Sequence, residues 1–328
     1  MVKLDIIDKK LLYELDLNAR QPVSAISRKI GKSKETVNFR LRRLVKEGVI
    51  GSFYTVFDAA RMGNFYFKIY LKFKNITPEK QVEIMDYLYG QKSLTYLASV
   101  EGHYDCIFLV MVKKPADLLE MLDPFMQKYG QCIRDKETEV LICEHRLNQR
   151  FLHAGNERTD RKSTIEPGSY YADKADLEMM KAISRNARAP ISEIAKKTGI
   201  SPSVAGYRLR KLWRDGIIIG YAVALNYEKL GLRFVQINIA LSDPSAKRRM
   251  IAYFEATDKC LFALEIAGKY DLVIEVFVQE QHELDGIVEG FRRKFAEAYH
   301  TCDVSTITKE HLVMWMPFLR DEARVQEG

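Results

Sequence analysis

Basic side chains crowd two short stretches of this chain. Lys32, Lys34, Arg40, Arg42, Arg43 and Lys46 fall within residues 32–46, and Arg208, Arg210, Lys211 and Arg214 within residues 208–214. That density of positive charge on a helix suits nucleic acid, because each neutralised phosphate releases condensed counterions. In the first stretch Asn38 and Lys34 are the candidate base readers: a carboxamide can bond adenine twice, and a lysine can reach guanine. Arg42, Arg43 and Lys46 are expected to hold phosphates. Lys32, Ser33, Glu35 and Arg40 complete this first candidate DNA-binding surface. The second comprises Ser201, Ser203, Tyr207, Arg208, Arg210, Lys211 and Arg214, and its Pro202-Ser203-Val204-Ala205-Gly206 stretch is poorer in groups that read bases. Two unequal half-sites are therefore expected, the first supplying most of the sequence preference and the second mainly backbone affinity.

The distribution of charge supports that partner more than its total does. The 328 residues carry a formal charge of only +7, yet residues 1–50 carry +6 and residues 173–222 carry +5. A length of 328 with 47% hydrophobic residues predicts two or more domains with buried cores and excludes disorder and collagen-like repetition. No apolar run of about 18 residues is present, and acidic residues interrupt the start, so an intracellular, cytoplasmic protein with no membrane partner is expected. Cys106, Cys132, Cys143, Cys260 and Cys302 form no Cys-x-x-Cys pair, which predicts reduced, bland cysteines and no metal site. Gly-x-Gly-x-x-Gly, P-loop, His-Glu-x-x-His and nucleophile-elbow motifs are absent, so neither a cofactor nor a catalytic residue is expected.

What positions the basic stretches is a repeat. Shifted by 168, the chain matches itself at 18 of the 59 positions from 5 to 63, including Asn18-Ala19-Arg20 on Asn186-Ala187-Arg188 and Gly31-x-Ser33 on Gly199-x-Ser201. Further on the shift is 166, laying Gly102-x-Tyr104-Asp105 on Gly268-x-Tyr270-Asp271 and Glu144-His145 on Glu310-His311. Within a copy, Ile7/Leu11/Leu12/Leu15, Val23/Ile26/Ile30 and Val37/Leu41/Leu44 recur at helical spacing, predicting three short helices. Gly31 supplies the turn between the second and third, and Ser33 an N-cap, which together read as a helix-turn-helix. Gly48 to Tyr54 and Gly216 to Tyr221 look like short strands closing a wing.

Past the wing the periodicity shifts to strands at Phe65 to Phe73, Leu94 to Val100, Cys106 to Val112 and Thr138 to Leu147, with helices at Pro78 to Leu88 and Ala116 to Lys128. The βαββαβ order predicts a ferredoxin-like α+β domain. The expected domains are a winged helix-turn-helix at 1–60, an effector domain at 61–147, a polar linker at 148–172, a second winged helix-turn-helix at 173–228 and a second effector domain at 229–328.

These residues resemble the Lrp/AsnC family of bacterial and archaeal transcriptional regulators. The likeness rests on Leu4-Asp5-x-x-Asp8-x-x-Leu11-Leu12, Asn18-Ala19-Arg20, the Gly31-x-Ser33 turn, Arg40-Leu41-Arg42-Arg43-Leu44-x-x-x-Gly48-Val49-Ile50 and Gly-x-Tyr-Asp. It covers nearly the whole chain outside the linker. The resemblance implies a winged helix-turn-helix followed by an effector domain that pairs sheet to sheet with a second one and binds an amino acid, here with Gly102, Tyr104 and Asp105, and Gly268, Tyr270 and Asp271, as effector-binding candidates. Two family units in one chain imply a covalent pseudo-dimer reading an imperfect palindrome on double-stranded DNA, with further self-association through the effector domains. Two rival readings share the architecture: an enzyme resembling siroheme decarboxylases, for which the recurring His145 and His311 would be the chemical groups beside His103, His153, His282 and His300, and a DNA-binding architectural protein of low sequence preference.

Overall fold

The structure is a computed structural model and describes residues 2–147, 149, 151–152, 161–314 and 316–319. In the first copy α1 (Ile6–Leu17) starts at Asp5, whose carboxylate accepts from the Asp8 amide while Asp8 reciprocates. Helix α2 (Val23–Ile30) stops at Gly31, at a φ of 65°, and α3 (Lys34–Lys46) begins at Ser33, whose hydroxyl accepts from the Thr36 amide at 3.2 Å. Strand β1 (Ile50–Phe57) follows. The effector part is β2 (Phe65–Phe73), α4 (Pro78–Tyr89), β3 (Leu94–Glu101), β4 (Cys106–Val112), α5 (Asp117–Tyr129) and β5 (Ile133–Arg146), in the expected βαββαβ order.

A short strand, β6 (Arg161–Thr164), then pairs with the end of β5, and the second copy repeats the first. It comprises α6 (Lys174–Ser184), α7 (Ile191–Thr198), α8 (Pro202–Arg214), β7 (Ile218–Leu225), β8 (Arg233–Leu241), α9 (Lys247–Glu255), β9 (Cys260–Ala267), β10 (Leu272–Val278), α10 (Gln281–Phe295) and β11 (Tyr299–Val313).

Each effector domain has strand order β5-β2-β4-β3, or β11-β8-β10-β9 in the second copy, and the two sheets join edge to edge through β3–β11 and β5–β9. Eight antiparallel strands thereby close into a barrel, which leaves no unpaired edge at either seam. Strands β5 and β11 are long because each serves two partners: β5 pairs with β2 over Ile133 to Val140 and with β9 beyond it. This is why β5 begins ahead of the expected Thr138. Alternation along β2 sends Phe67, Ile69, Leu71 and Phe73 outward against α4 and α5, and Tyr66, Lys68 and Tyr70 inward. Fully burying a side chain such as Phe125 of α5 in that outer layer stabilises by roughly 1.5–3 kcal/mol.

Two sequence expectations change. The strand after α3 does not close a wing within its own copy; β1 pairs antiparallel with β7 of the other copy. Tyr54 lies opposite Ala222, its own counterpart at the 168 shift, so a pseudo-twofold axis passes between them. Arg20 and Arg188 mirror each other across it: Arg20 Nη1 donates to the Ala187 carbonyl and Arg188 Nη1 to the Ala19 carbonyl, both at 2.5 Å. The stretch expected as a polar linker also contributes structure, since β6 extends the sheet and the Gly168 and Tyr170 amides donate to the Ala60 and Arg61 carbonyls. Backbone pairing is indifferent to side-chain polarity, so composition concealed it.

Candidate nucleic-acid interface and interior cavity

On α3 the apolar side seats Val37 and Leu44 in the head's core, so the basic residues divide between the opposite face and the flanks. Lys32, Ser33, Lys34, Glu35, Arg42 and Lys46 are exposed and Asn38 is half-buried. Arg40 and Arg43 are engaged elsewhere. Arg40 Nη1 donates to Asp5 at 2.6 Å and Asp8 at 2.8 Å, and Arg43 Nη2 donates to Asp8 at 2.5 Å, with Asp8 almost fully buried. The Arg40 hydrogen bond is the main cause that pulls the Asp5 carboxyl down to about 2. The second head repeats the tie, with Arg208 Nη1 at 2.7 Å from Asp173 and 2.8 Å from Asp176. These arginines fasten the third helix of each unit to its first.

Ser201, Ser203, Tyr207, Arg210 and Arg214 of the second head are exposed, while Lys211 is half-buried with its ammonium 5.7 Å from the centre of the Tyr170 ring. Ser201 caps α8, accepting from the Val204 amide. One exposed residue escaped the sequence reading. Phe39 is 69% exposed on α3 and stands at the position of Tyr207, which is 58% exposed on α8. Setting the two copies side by side would have found it. An aromatic edge there offers thymine methyl groups an apolar contact.

The two Gly-x-Tyr-Asp loops meet at one end of the barrel. A Cβ on Gly102, at a φ of +140°, would lie 2.8 Å from the Val304 carbonyl, and one on Gly268 would lie 2.8 Å from Glu139. Each glycine thus lets its loop cross the other copy's last strand. Tyr104 and Tyr270 are fully buried; the Lys269 ammonium donates to the Tyr104 hydroxyl at 3.0 Å, and the Tyr270 hydroxyl donates to Asp303 at 2.6 Å. Asp105 takes the Lys72 ammonium at 2.6 Å and the Phe73 amide at 2.8 Å, and Asp271 takes the Leu241 amide at 2.8 Å. The carboxylates therefore lock each loop to the end of a strand. A hollow of about 460 Å³ adjoins the first loop at Phe73, Ser99, Glu101 and Asp105.

The Glu-His pairs split across their strands. His145 Nε2 lies 2.8 Å from Glu265 and 3.6 Å from the Cys143 sulfur, three donors that the sequence reading did not assemble, whereas His311 bonds the Ser99 hydroxyl at 2.8 Å. His153 lies outside the described residues. Glu144 and Glu310 face instead a cavity of about 1300 Å³ between the barrel and the strands that join the heads. Asp58, Lys68 and Glu275 line it too, with Lys68 Nζ 3.8 Å from Glu275. Burial raises Glu144 and Glu310 to about 7, opposed at Glu144 by the Arg146 charge and reinforced at both by Glu275, and burial lowers Lys68. The cavity's charged lining, with Lys181, Arg185 and Lys197 beside these residues, had no counterpart in the sequence reading, because its residues lie on separate elements.

Comparison with known proteins adds the following. A model of winged helix-turn-helix DNA-binding domains matches residues 4–50 and again 173–219. The regulatory protein AsnC of Haemophilus influenzae is 27% identical over 150 residues, 45% of this chain and 95% of that protein. An uncharacterized HTH-type transcriptional regulator of Pyrococcus abyssi is 30% identical over 119 residues, 35% of this chain and 79% of that protein. Among solved structures, the siroheme decarboxylase NirDL in complex with an iron-uroporphyrin III analogue is similar at a TM-score of 0.65 and 12% identity, covering 96% of this chain and 95% of that one. That likeness is one of fold.

Proposed function

We propose, from the premise that the chain belongs to the Lrp/AsnC family of transcriptional regulators as two family units in tandem, that it reads DNA as a covalent pseudo-dimer. It is a DNA-binding transcriptional regulator, and the finer proposal concerns how one chain does the work of two subunits. The observation that carries it is the axis through Tyr54 and Ala222, which relates two helix-turn-helix heads of different surface chemistry. A homodimer presents identical heads to a palindrome; here Lys34, Asn38 and Phe39 face one half-site, and Pro202, Gly206 and Tyr207 the other. The natural target is an imperfect palindrome whose first half carries the sequence preference. Arg42 and Lys46, with Arg210 and Arg214, are assigned to phosphates. The reading includes further self-association through the effector domains and a small effector, an amino acid on the family resemblance, at the hollow beside Asp105.

Fluorescence anisotropy of a labelled duplex against salt tests the phosphate assignment. Substituting Arg42, Lys46, Arg210 and Arg214 by alanine together is expected to lower the salt slope by about 4. An unchanged slope would remove those residues from the interface.

A second reading, an enzyme of the siroheme-decarboxylase type, is favoured by the full-length likeness of fold. The charge at the inner end of the cavity opposes it. A uroporphyrin is a polycarboxylate, and at the inner end of the cavity Asp58, Glu144, Glu275 and Glu310 would meet its rim beside Lys68, the further lining cations Lys181, Arg185 and Lys197 lying at the exposed end. No histidine lines the cavity among the described residues. An absorbance scan of the protein mixed with an iron porphyrin carrying the same carboxylates is expected to show no shifted Soret band, and a stoichiometric shift would reinstate the enzyme reading.

A further inference from the structure

The two seams of the barrel share a register but not their residues. Where β5 meets β9, Cys143 lies opposite Glu265; where β11 meets β3, Lys309 lies opposite Ser99. Lys309 and Ser99 are the counterparts of Cys143 and Glu265 at the 166 shift, and His311 is the counterpart of His145. At the β3–β11 seam the histidine bonds the Ser99 hydroxyl at 2.8 Å, with a lysine two residues before it on its own strand. At the β5–β9 seam the same positions hold a thiol, an imidazole and a carboxylate. Relative to the first, this seam has lost a positive charge and gained a negative one, and both changes favour a cation.

Strand geometry brings the three donors together. Cys143 and His145 stand two residues apart on β5 and so project from one face, and Glu265 approaches from the adjacent strand. His145 Nε2 lies 3.6 Å from the Cys143 sulfur and 2.8 Å from Glu265 Oε1, and the three donor atoms lie within 4.8 Å of one another. Cys143 is buried and the other two are half-buried. Zinc bonds of about 2.3 Å to sulfur and about 2.0–2.2 Å to nitrogen and oxygen, at tetrahedral angles, set neighbouring donors about 3.4–3.6 Å apart. The sulfur and nitrogen already meet that spacing, and nitrogen and oxygen reach it by parting about 0.6 Å. Lys247 Nζ lies 3.7 Å from the other carboxylate oxygen, Oε2, and steadies Glu265 from the far side.

The donor set decides the class of ion. Magnesium and calcium take oxygen ligands, whereas one sulfur, one nitrogen and one oxygen suit zinc(II), with a coordination position left open beyond the three protein donors. We propose that Cys143, His145 and Glu265 form a binding site for a zinc(II) ion, which joins β5 of the first copy to β9 of the second. Binding releases the Cys143 thiol proton to solvent and leaves the thiolate as ligand. The ion pins the seam beside Arg146, whose Nη2 donates to Asp16 of α1 at 2.9 Å and ties β5 to the first head. None of the three ligands lines the interior cavity or the hollow beside Asp105, and the site does not depend on the regulator reading. Cysteine spacing gave no sign of it, because the third donor lies 120 residues away in the other copy.

Titration of the metal-free, reduced full chain with cobalt(II) and then zinc(II) tests the site. Cobalt is expected to raise a thiolate-to-metal charge-transfer band that zinc abolishes, and zinc is expected to raise the melting temperature. Cys143→Ser should remove the band, and His145→Gln and Glu265→Gln should each weaken zinc at least about tenfold. His311→Gln, at the other seam, should leave both readouts unchanged. Circular dichroism of each metal-free variant shows whether it folds, so that one folding failure leaves the other variants to decide. No saturable band, a band that survives Cys143→Ser, or zinc affinity unchanged in folded His145→Gln or Glu265→Gln would overturn the proposal. DNA anisotropy on the metal-free chain tests the regulator reading separately, since its failure would leave the metal titration standing.

Discussion

At the scale of single residues, the basic side chains of α3 and α8 perform two different jobs that the sequence presents as one. Arg40, Arg43 and Arg42 look alike in a charge run, yet the first two reach back to Asp5 and Asp8, and only Arg42 is left facing solvent. Arg40→Ala is therefore expected to destabilise the chain by about 1–3 kcal/mol, because buried Asp8 loses one of its two cationic partners. Arg42→Ala should leave stability unchanged and lower the DNA salt slope by about 1. Denaturant unfolding and anisotropy separate the two, and equal effects on both properties would contradict the division. The carboxylates were visible in sequence, recurring as Asp173 and Asp176 in the second copy. What was not legible was their pairing, which needs α1 folded across α3. Phe39 went unseen for a related reason: an aromatic residue in a helical pattern reads as core until packing leaves it outside.

At the scale of elements, nearly every helix and strand was legible, because period and punctuation agree locally. The Gly31-x-Ser33 turn, the Gly-capped helices and the alternating β2 each announce themselves. The exchange of β1 and β7 did not, since a strand paired with its own copy and one paired with a copy 168 residues away show the same hydrophobic pattern. The two kinds of glycine now separate as well. Gly31 sits at a φ of +65° with open space where a Cβ would go, so Gly31→Ala is expected to cost about 1–2 kcal/mol from backbone strain alone. Gly102→Ala adds a collision with the Val304 carbonyl at the crossing of β11 and should cost more. Thermal melting of the two variants checks the order, and a milder effect at Gly102 would contradict the crossing of the loops.

At the scale of the whole molecule, the barrel encloses carboxyls whose protons depend on folding. Burial, as the leading cause, raises Glu139, Glu144 and Glu310 to about 7. Between the unfolded value of about 4.3 and 7 the folded chain holds more protons than the unfolded one, so stability falls as pH rises through that window. Asp5 works in the opposite sense at lower pH: its carboxyl is held at about 2, so its contribution is present above about 4 and fades as pH falls toward 2. Melting temperature is therefore expected to decline from about pH 5 to 7.5. A melting temperature that rises across that range would show that these carboxyls are not held in the barrel as described. The sequence showed the total charge and its bias to the heads, but residues from β2, β5, β10 and β11 meet only after the barrel closes.

The central claim is that one chain presents two unequal heads about a single axis. Selection of bound duplexes from a random pool, with the wild-type chain and with Asn38→Ala, tests it most directly. The account predicts an enriched site made of two inverted halves, one strongly and one weakly defined, with the strong half losing its preference in the variant. Two equally defined halves, a preference untouched by Asn38→Ala, or no enrichment at all would contradict it.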